Sequence, residues 1–195
     1  MKPFIGISVR NFSMEDFYWI GVHKEYVSKI EECGGIPILL CGNHLKELLN
    51  LCDGILVTGG SDITKEDKEI YDYALKTKKP YLGICMGMQL MVGEENLKKV
   101  DYHNSKKEYA HKITIIPNTL LSRILKKTEI FVNSRHKEGI KNIQNYVVSA
   151  YSEDGVIEAI EKEDYPFHIG VQWHPESMKG NVLFYTFINK SKQNL

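Results

Sequence analysis

Hydrophobic residues in the first half of the chain fall into short, nearly uninterrupted runs separated by longer segments with helical spacing. Apolar runs without alternation are typical of strands that are buried on both faces. The segments between them place apolar residues three or four positions apart, as amphipathic helices do. Together they predict a parallel sheet covered by helices on both faces. The predicted strands are Phe4 to Val9, Ile36 to Leu40, Gly54 to Val57 and Tyr81 to Ile84, and the predicted helices are Lys24 to Cys33, His44 to Leu51 and Glu66 to Thr77.

The second half has a different pattern, because its apolar runs follow one another through short polar turns. Ser152 to Gly155 reads Ser-Glu-Asp-Gly, and its glycine can take the positive φ of a hairpin turn. We therefore expect an antiparallel extension of the sheet, then one more buried strand and a closing helix. The predicted strands are Lys112 to Ile116, Glu129 to Val132, Tyr146 to Ala150, Gly155 to Ile160 and His168 to Gln172, and the predicted helix is Val182 to Asn189.

These elements predict a single α/β domain over residues 1–195. The expected architecture is a flavodoxin-like three-layer sandwich. It has a mainly parallel central sheet, helices on both faces and a small antiparallel extension. A chain of 195 residues is long enough to bury a substantial core.

The balanced charge and the lack of targeting signals argue against several classes of function. Lys plus Arg and Asp plus Glu are both 25, so no global charge favours nucleic acid or a membrane surface. No apolar run approaches the length that spans a bilayer, and the N-terminal residues lack the pattern of a secretory signal. We therefore expect a cytoplasmic protein that binds neither nucleic acid nor membrane.

The four cysteines are expected to be free thiols in a reducing compartment. No pair has CxxC spacing and no zinc-finger pattern of histidines accompanies them, so no metal site is expected. Cys85 differs from the others, because it directly follows a predicted strand and has a glycine two positions away on each side. The remaining three lie among apolar neighbours and are expected to be small buried hydrophobes: Cys33, Cys41 and Cys52.

Cys85 lies in Gly-Ile-Cys-Met-Gly at the carboxyl end of the strand Tyr81 to Ile84. In open parallel sheets, ligands bind beyond this end of the strands. A nucleophile on a sharp strand-to-helix turn needs small residues on both sides, which Gly83 and Gly87 provide. The helix predicted over Met86 to Val92 directs its first N–H groups toward the sulfur, which favours the thiolate. The pentapeptide alone is also compatible with a structural cysteine beside packing glycines.

His174 offers a base for this thiol, in Gly-Val-Gln-Trp-His-Pro-Glu-Ser after the last predicted strand. Glu176 follows two positions later, and Pro175 fixes the backbone between them, so the carboxylate can orient the imidazole. A proline-containing turn with a solvated histidine is the alternative. Five further histidines have no obvious chemical partner and are expected to be surface or internally satisfied residues: His23, His44, His103, His111 and His168.

A third element is Val-Thr-Gly-Gly-Ser-Asp, Val57 to Asp62, which again follows a predicted strand. Paired glycines let backbone N–H groups approach a ligand closely. Gly60 can then act as one oxyanion donor, with the N–H of Met86 as the other. A Gly-Gly pair alone indicates only a turn, but three such elements at three strand ends predict one site.

Together these motifs resemble the class I glutamine amidotransferase superfamily, and more narrowly its free-standing γ-glutamyl hydrolase branch, which includes the γ-glutamyl-γ-aminobutyrate hydrolases. The resemblance covers nearly the whole chain. The Cys85 turn combined with Trp-His-Pro-Glu is specific to the superfamily, whereas Val-Asn-Ser-Arg-His-Lys-Glu-Gly-Ile favours the hydrolase branch. The matching segments are IGISVR, EYVSKIEECGGIPILL, DGILVTGGSD, LGICMGMQLM, FVNSRHKEGI, DGVIEAIE and HIGVQWHPES.

The resemblance implies a catalytic triad of Cys85, His174 and Glu176. It also implies an oxyanion hole formed by the backbone N–H groups of Gly60 and Met86. The implied reaction is hydrolysis of a γ-glutamyl amide through a γ-glutamyl thioester on the cysteine. Neither a metal nor an organic cofactor is needed for this chemistry.

The resemblance further implies which residues bind the substrate, a small-molecule γ-glutamyl amide. Gln89, Ser134 and Arg135 match positions that line the pocket for its γ-glutamyl part. The neighbouring His136 matches a position with an orienting or structural role. A homodimer is compatible with the resemblance.

The chain departs from its relatives at two places that border the leaving-group side of the pocket. After Thr-Gly-Gly-Ser-Asp the usual proline is replaced by Ile63, and the loop to the next helix is shorter. Relatives carry a Gly-Gly-x-Leu element downstream of the cysteine turn. This chain keeps Gly93 and Leu97 there but lacks the pair of glycines. The amine is therefore left open between a γ-aminobutyrate-like amine, a nucleotide-linked amidate and ammonia.

Two other functions stay open from the sequence. One is a glutaminase subunit of a two-component amidotransferase, which supplies ammonia to a partner synthase. It would need another protein, because no synthase domain is found in these 195 residues. The other is a catalytically idle binding or regulatory module, which the intact Cys85, His174 and Glu176 disfavour.

Overall fold

The chain alternates strands and helices in its first half and is mainly strands in its second, as described for residues 1–192 by a computed structural model. The α-helices are α1 (Lys24–Glu32), α2 (Leu45–Leu51), α3 (Lys65–Thr77), α4 (Met86–Val92), α5 (Leu120–Leu125) and α6 (Val182–Lys192). The β-strands are β1 (Phe4–Ser8), β2 (Arg10–Met14), β3 (Phe17–Gly21), β4 (Ile36–Leu40), β5 (Gly54–Val57), β6 (Tyr81–Ile84), β7 (Leu97–Lys99), β8 (His111–Ile115), β9 (Glu129–Val132), β10 (Glu138–Ile140), β11 (Val147–Ser152), β12 (Ile157–Glu161) and β13 (His168–Val171).

The main sheet has nine strands in the order β4-β1-β5-β6-β13-β12-β11-β8-β9. The first five of these run parallel to one another. Ile84 at the end of β6 pairs with Val171 at the end of β13, so the two carboxyl ends lie side by side. This confirms the predicted parallel sheet and gathers the loops that follow β1, β5, β6 and β13 at one edge.

The antiparallel extension predicted from the second half is also present. It comprises four strands, β12, β11, β8 and β9, each antiparallel to its neighbours. The turn between β11 and β12 contains Gly155 at φ 82, the positive value expected for its glycine. The extension therefore forms nearly half of the sheet.

Helices cover both faces of the sheet, as predicted for a three-layer sandwich. Successive strand side chains point to opposite faces, so neighbouring residues belong to different cores. Leu56 and Leu82 pack in the cluster that includes residues of α1, α5 and α6. Ile55 and Tyr81 pack in the cluster that includes residues of α2, α3 and α4. In residues 1–192, no helix is both long and apolar enough to cross a bilayer.

Two small antiparallel ribbons lie outside the main sheet and were not predicted. One pairs β2 with β3, and the other pairs β7 with β10. Most side chains of β2 and β3 are exposed, including Phe12 and Trp19, which face each other across the ribbon. A ribbon with no buried face has no reason to alternate apolar and polar residues, so the sequence gives no strand signal there.

Candidate active site

Cys85 occupies a strained strand-to-helix turn between β6 and α4. Its backbone has φ 54 and ψ −107, a conformation that residues with a side chain rarely adopt. A Cβ on Gly83 would lie 2.4 Å from the carbonyl oxygen of Gly87. A Cβ on Gly87 would lie 2.2 Å from the carbonyl oxygen of Val57. Both glycines are therefore required for the turn, which is the steric reason predicted from the pentapeptide.

Replacing Gly87 with alanine is expected to lower the free energy of unfolding by about 2 kcal/mol or more, because a backbone carbonyl cannot move aside cheaply. Urea denaturation measures the loss. Gly21→Ala is the matched control, since its added Cβ would meet only the Phe12 ring at 3.4 Å. Equal stability of the two variants would contradict a close-packed turn.

His174 lies beside Cys85 and is held by Glu176. Its Nδ1 is 2.6 Å from Oε1 of Glu176, which is buried. A Cβ built on Gly59 would lie 2.8 Å from Cε1 of His174 and 3.5 Å from Cβ of Cys85, so one glycine touches both side chains. Burial lowers the pKa of His174, but its hydrogen bonds to Cys85 and Glu176 outweigh that effect and raise the pKa to about 10. The imidazole is therefore expected to carry a proton at neutral pH.

The backbone of His174 is clamped by Asn133, which follows β9. The His174 N–H donates to Oδ1 of Asn133 at 2.8 Å, and Nδ2 of Asn133 donates to the His174 carbonyl at 2.8 Å. Because the side-chain amide satisfies both backbone groups, the loop after β13 is fixed where the imidazole is needed. Pro175 then begins a short 3-10 turn that places Glu176.

Tyr26 of α1 approaches the same ring nitrogen of His174 that Glu176 contacts. Its hydroxyl oxygen lies 3.5 Å from Nδ1 of His174 and accepts the N–H of Gly59 at 3.2 Å. Burial, and next the charge of Glu176, raise the pKa of Tyr26 well above its ordinary value, so the hydroxyl stays protonated. Tyr26 thus links the histidine to the Gly-Gly loop.

The Gly-Gly loop after β5 is fixed by Arg10 at the start of β2. The guanidinium donates to the carbonyl oxygens of Thr58 and Gly59, both at 3.0 Å. It is also paired with Asp67 of α3, with the shortest contact at 2.6 Å. Arg10 therefore stabilises the backbone next to Gly60, one of the two predicted oxyanion donors. The other donor, the N–H of Met86, belongs to the first residue of α4 and so has no acceptor within its own helix.

A cavity of about 610 Å³ opens beside Cys85. Cys85 itself is only 6% exposed, and the cavity is its access to solvent. Three of the other lining residues are basic, Lys99, Arg135 and Lys137, and two are acidic, Asp101 and Glu138. A pocket with both charges suits a substrate that carries a carboxylate and an ammonium group. The uncharged lining residues are Gly60, Ser61, Gln89, Val100 and Asn104, with His136 beside them.

Gln89, predicted to bind substrate, lines this cavity one helical turn beyond Cys85. Its Nε2 donates to the Glu138 carbonyl at 3.0 Å and lies 3.3 Å from Oε1 of Gln172. Nε2 of Gln172 in turn lies 3.5 Å from the Cys85 sulfur. Two amides therefore connect the far wall of the cavity to the thiol.

Arg135 and Ser134, also predicted to bind substrate, are placed differently. Arg135 lines the cavity, and its Nη1 donates to Oγ of Ser177 at 3.1 Å. Ser134 is fully buried, and its hydroxyl donates to the His103 carbonyl at 2.6 Å. The structure does not bring the Ser134 side chain to the cavity, because this side chain packs into the wall behind it.

His174 and Glu176 border a second cavity, of about 490 Å³, which also contacts Arg135. Tyr26 and Gly59 line it too. The thiol and the imidazole thus meet where two cavities adjoin. A substrate whose scissile bond lies at the sulfur would therefore have space for the groups on both sides of that bond. Among residues 1–192, a group of side chains that could hold a metal lies outside the lining of both cavities, in His103, His111 and Glu158.

Two overlapping segments of the chain, residues 3–68 and 65–176, match the Peptidase C26 family. The chain belongs to this family. It is a class I glutamine amidotransferase-like hydrolase, as the sequence motifs predicted.

Two relatives and one solved structure show how far the likeness extends. A glutamine amidotransferase-like protein of Rickettsia prowazekii is 29% identical, over 98% of each chain. The γ-glutamyl-γ-aminobutyrate hydrolase of Escherichia coli is 27% identical, over 90% of this chain and 86% of the relative. A GMP synthase component from Thermoplasma acidophilum has the same fold, with a TM-score of 0.75 at 18% identity over 99% of this chain and 96% of its own.

Four residues that support the site were missed by sequence reasoning. Each lies inside a segment already recognised as similar to the superfamily, so those segments held the signal. Without the fold, nothing distinguished them from packing residues. They are Arg10 in IGISVR, Tyr26 in EYVSKIEECGGIPILL, Asn133 in FVNSRHKEGI and Gln172 in HIGVQWHPES.

Proposed function

We propose that this protein hydrolyses a γ-glutamyl amide bond through a γ-glutamyl thioester on Cys85, releasing glutamate and an amine. The observation that carries the proposal is a thiol on a strained turn, next to a cavity, beside an imidazole whose Nδ1 is 2.6 Å from a buried carboxylate. In this mechanism Cys85, His174 and Glu176 are nucleophile, acid–base and orienting carboxylate.

Acylation begins with the Cys85 thiolate, which the neighbouring imidazolium stabilises. The sulfur attacks the γ-carbonyl carbon, and the carbonyl oxygen gains negative charge. The backbone N–H groups of Gly60 and Met86 stabilise this oxyanion. When the carbon–nitrogen bond breaks, His174 gives its proton to the departing nitrogen, so the amine leaves neutral and the thioester remains.

Deacylation returns the enzyme to its starting state. Neutral His174 removes a proton from a water molecule, and the resulting hydroxide attacks the thioester carbonyl. The carbon–sulfur bond breaks, glutamate is released and the Cys85 thiolate is regenerated next to the imidazolium. Glu176 stabilises the charged imidazole in both steps.

The first cavity is suited to the glutamate part of the substrate. The Arg135 guanidinium can bind the α-carboxylate, and Asp101 or Glu138 can bind the α-ammonium group. Gln89, already hydrogen-bonded to the Glu138 carbonyl, would orient this end of the substrate. The amine would then leave through the second cavity, next to the imidazole that protonates it.

The second candidate function is a glutaminase that supplies ammonia to a partner synthase. The Rickettsia prowazekii relative, named as glutamine amidotransferase-like, favours it. The Escherichia coli relative, named as a γ-glutamyl-γ-aminobutyrate hydrolase, favours the stand-alone hydrolase. The same triad would serve both, so the substrate decides between them.

A panel of γ-glutamyl amides, with glutamine included, tests the proposal through the glutamate released. We expect the purified protein alone to cleave at least one amide with a larger amine faster than glutamine, and Cys85→Ser to cleave none. An α-glutamyl amide is the control for the position of the bond. Glutamine turnover that depends on an added synthase would favour the second function, and no cleavage of any γ-glutamyl amide would contradict the proposal.

A further inference from the structure

Three imidazoles and a carboxylate meet at the wall of the first cavity, with one of them, His136, lining it and the others behind it. We call them the histidine cluster: His103, His111, His136 and Glu158. His103 follows β7, His111 begins β8, His136 precedes β10 and Glu158 lies in β12. The proposed hydrolysis gives this cluster no chemical role, and the sequence spacing did not indicate it.

Glu158 is fully buried, and neither of its carboxylate oxygens has a hydrogen-bond partner among residues 1–192. Nε2 of His111 lies 3.1 Å from Oε1 of Glu158, yet this nitrogen also has no hydrogen bond within the described chain. Three imidazole nitrogens lie 3.1–3.6 Å from Oε1 of Glu158 without hydrogen-bonding to it. Because a buried carboxylate without hydrogen bonds is costly, a group between it and the imidazoles is expected to satisfy it.

The outer nitrogens of two rings are already used as donors. Nε2 of His103 is 3.0 Å from a carboxylate oxygen of Asp154, and Nδ1 of His136 is 2.9 Å from the Glu138 carbonyl. Both partners are acceptors, so those nitrogens carry the hydrogens. When both rings are neutral, the inner nitrogens, Nδ1 of His103 and Nε2 of His136, face each other 3.2 Å apart with lone pairs. Metal-binding histidines are held in this way, each donating its outer N–H to a carboxylate or carbonyl.

We propose that the histidine cluster binds a divalent transition-metal ion of the zinc type, through His103, His111 and Glu158, with His136 next to them. The first three offer ligand atoms that lie within 4.8 Å of one another. Oε1 of Glu158 is 3.1, 3.4 and 3.6 Å from the facing nitrogens of His111, His103 and His136. Tetrahedral zinc with bonds of about 2.0–2.1 Å holds its ligand atoms about 3.3 Å apart.

The ion would connect the rim of the substrate cavity to the main sheet. Asp101 and Asn104, on either side of His103 in the chain, line the cavity, and so do Arg135 and Lys137, the neighbours of His136. Glu158 belongs to the main sheet. Since the ligands would lie behind the wall, the ion positions the rim and does not touch substrate. Its role is structural and stands apart from the proposed hydrolysis.

Metal binding to the untagged full chain tests the proposal. After chelator treatment, we expect about one equivalent of Zn²⁺ per chain by equilibrium dialysis and elemental analysis, and tetrahedral d–d absorption when Co²⁺ is used. Zn²⁺ should also raise the midpoint of thermal unfolding. Cys85→Ser should bind the same amount, which excludes the thiol and His174 as the site. Glu158→Gln and His111→Asn should each weaken binding at least about tenfold, whereas His44→Asn should not, because His44 is exposed.

Circular dichroism shows whether each variant is folded, so that lost metal binding is not mistaken for unfolding. His111 is partly exposed at the start of a strand, so His111→Asn is the variant better placed to fold if Glu158→Gln does not. If neither variant folds, the number of Zn²⁺ ions bound per chain by wild type and by Cys85→Ser still tests the proposal. Trace metal in wild type, or binding that is lost in Cys85→Ser and kept in His111→Asn, would overturn the proposal.

Discussion

Replacing Cys85 with alanine is expected to lower γ-glutamyl amide hydrolysis by about 10⁴-fold or more, to the level without a nucleophile. The sulfur is the atom that would form the thioester, and no neighbouring side chain can take its place, since Gln172 beside it is an amide. Stability should change little, because alanine keeps the Cβ and loses only a small atom that borders a cavity. Initial rates of glutamate release and urea denaturation measure the two effects.

Cys33→Ala is the matched control for this experiment. Cys33 is as buried as Cys85, at 6% exposure, but it caps the C-terminal end of α1, and its thiol faces the Asn181 carbonyl rather than either cavity. Its loss should affect stability and leave turnover per folded molecule unchanged. Retained turnover in Cys85→Ala, or an equal loss in Cys33→Ala, would remove Cys85 from the role of nucleophile.

Replacing His174 with alanine is expected to lower the hydrolysis rate nearly as much as losing the thiol. Glu176→Ala should lower it less, leaving a rate roughly 10²-fold higher than that of His174→Ala. His174 transfers the proton itself, while Glu176 only orients and charges the imidazole. Rates of glutamate release at saturating substrate compare the two variants. A larger loss in Glu176→Ala than in His174→Ala would reverse the two proposed roles.

The pH profile of Glu176→Ala tests the same assignment independently. The Glu176 carboxylate favours the imidazolium and helps raise the pKa of His174 to about 10. Removing it lowers that pKa. Because the leaving amine needs a proton from His174, activity falls as pH rises through the pKa, and the variant should lose activity at lower pH than wild type. An unchanged alkaline limb would contradict the link between the two residues.

Buried strands of the parallel half were predictable, because a strand covered on both faces is apolar at nearly every position. Gly54–Val57 and Tyr81–Ile84 have the predicted bounds, and His168–Val171 is one residue shorter than predicted. Helix α5 was missed because six residues make fewer than two turns, too short for a period to appear. The β2–β3 ribbon was missed because neither of its faces is buried.

The surroundings of the histidines could be predicted from the sequence only in part. His23 and His44 are exposed, as expected for surface residues. His103 and His168 are buried, and burial lowers the pKa of His168 to about 3, so that ring is neutral. His168 has a partner in the Tyr71 hydroxyl at 3.2 Å, but no spacing in the sequence links residues 71 and 168.

The sequence by itself determined the family, the α/β class and the turn that presents Cys85. The turn could be inferred because its steric requirement acts over two residues on each side, within reach of a local pattern. Only the tertiary structure decided which distant residues meet: Tyr26 and Asn133 around His174, Ser134 behind the cavity wall, and the histidine cluster around Glu158. Such contacts depend on strand order and on burial, and both are properties of the whole packed chain.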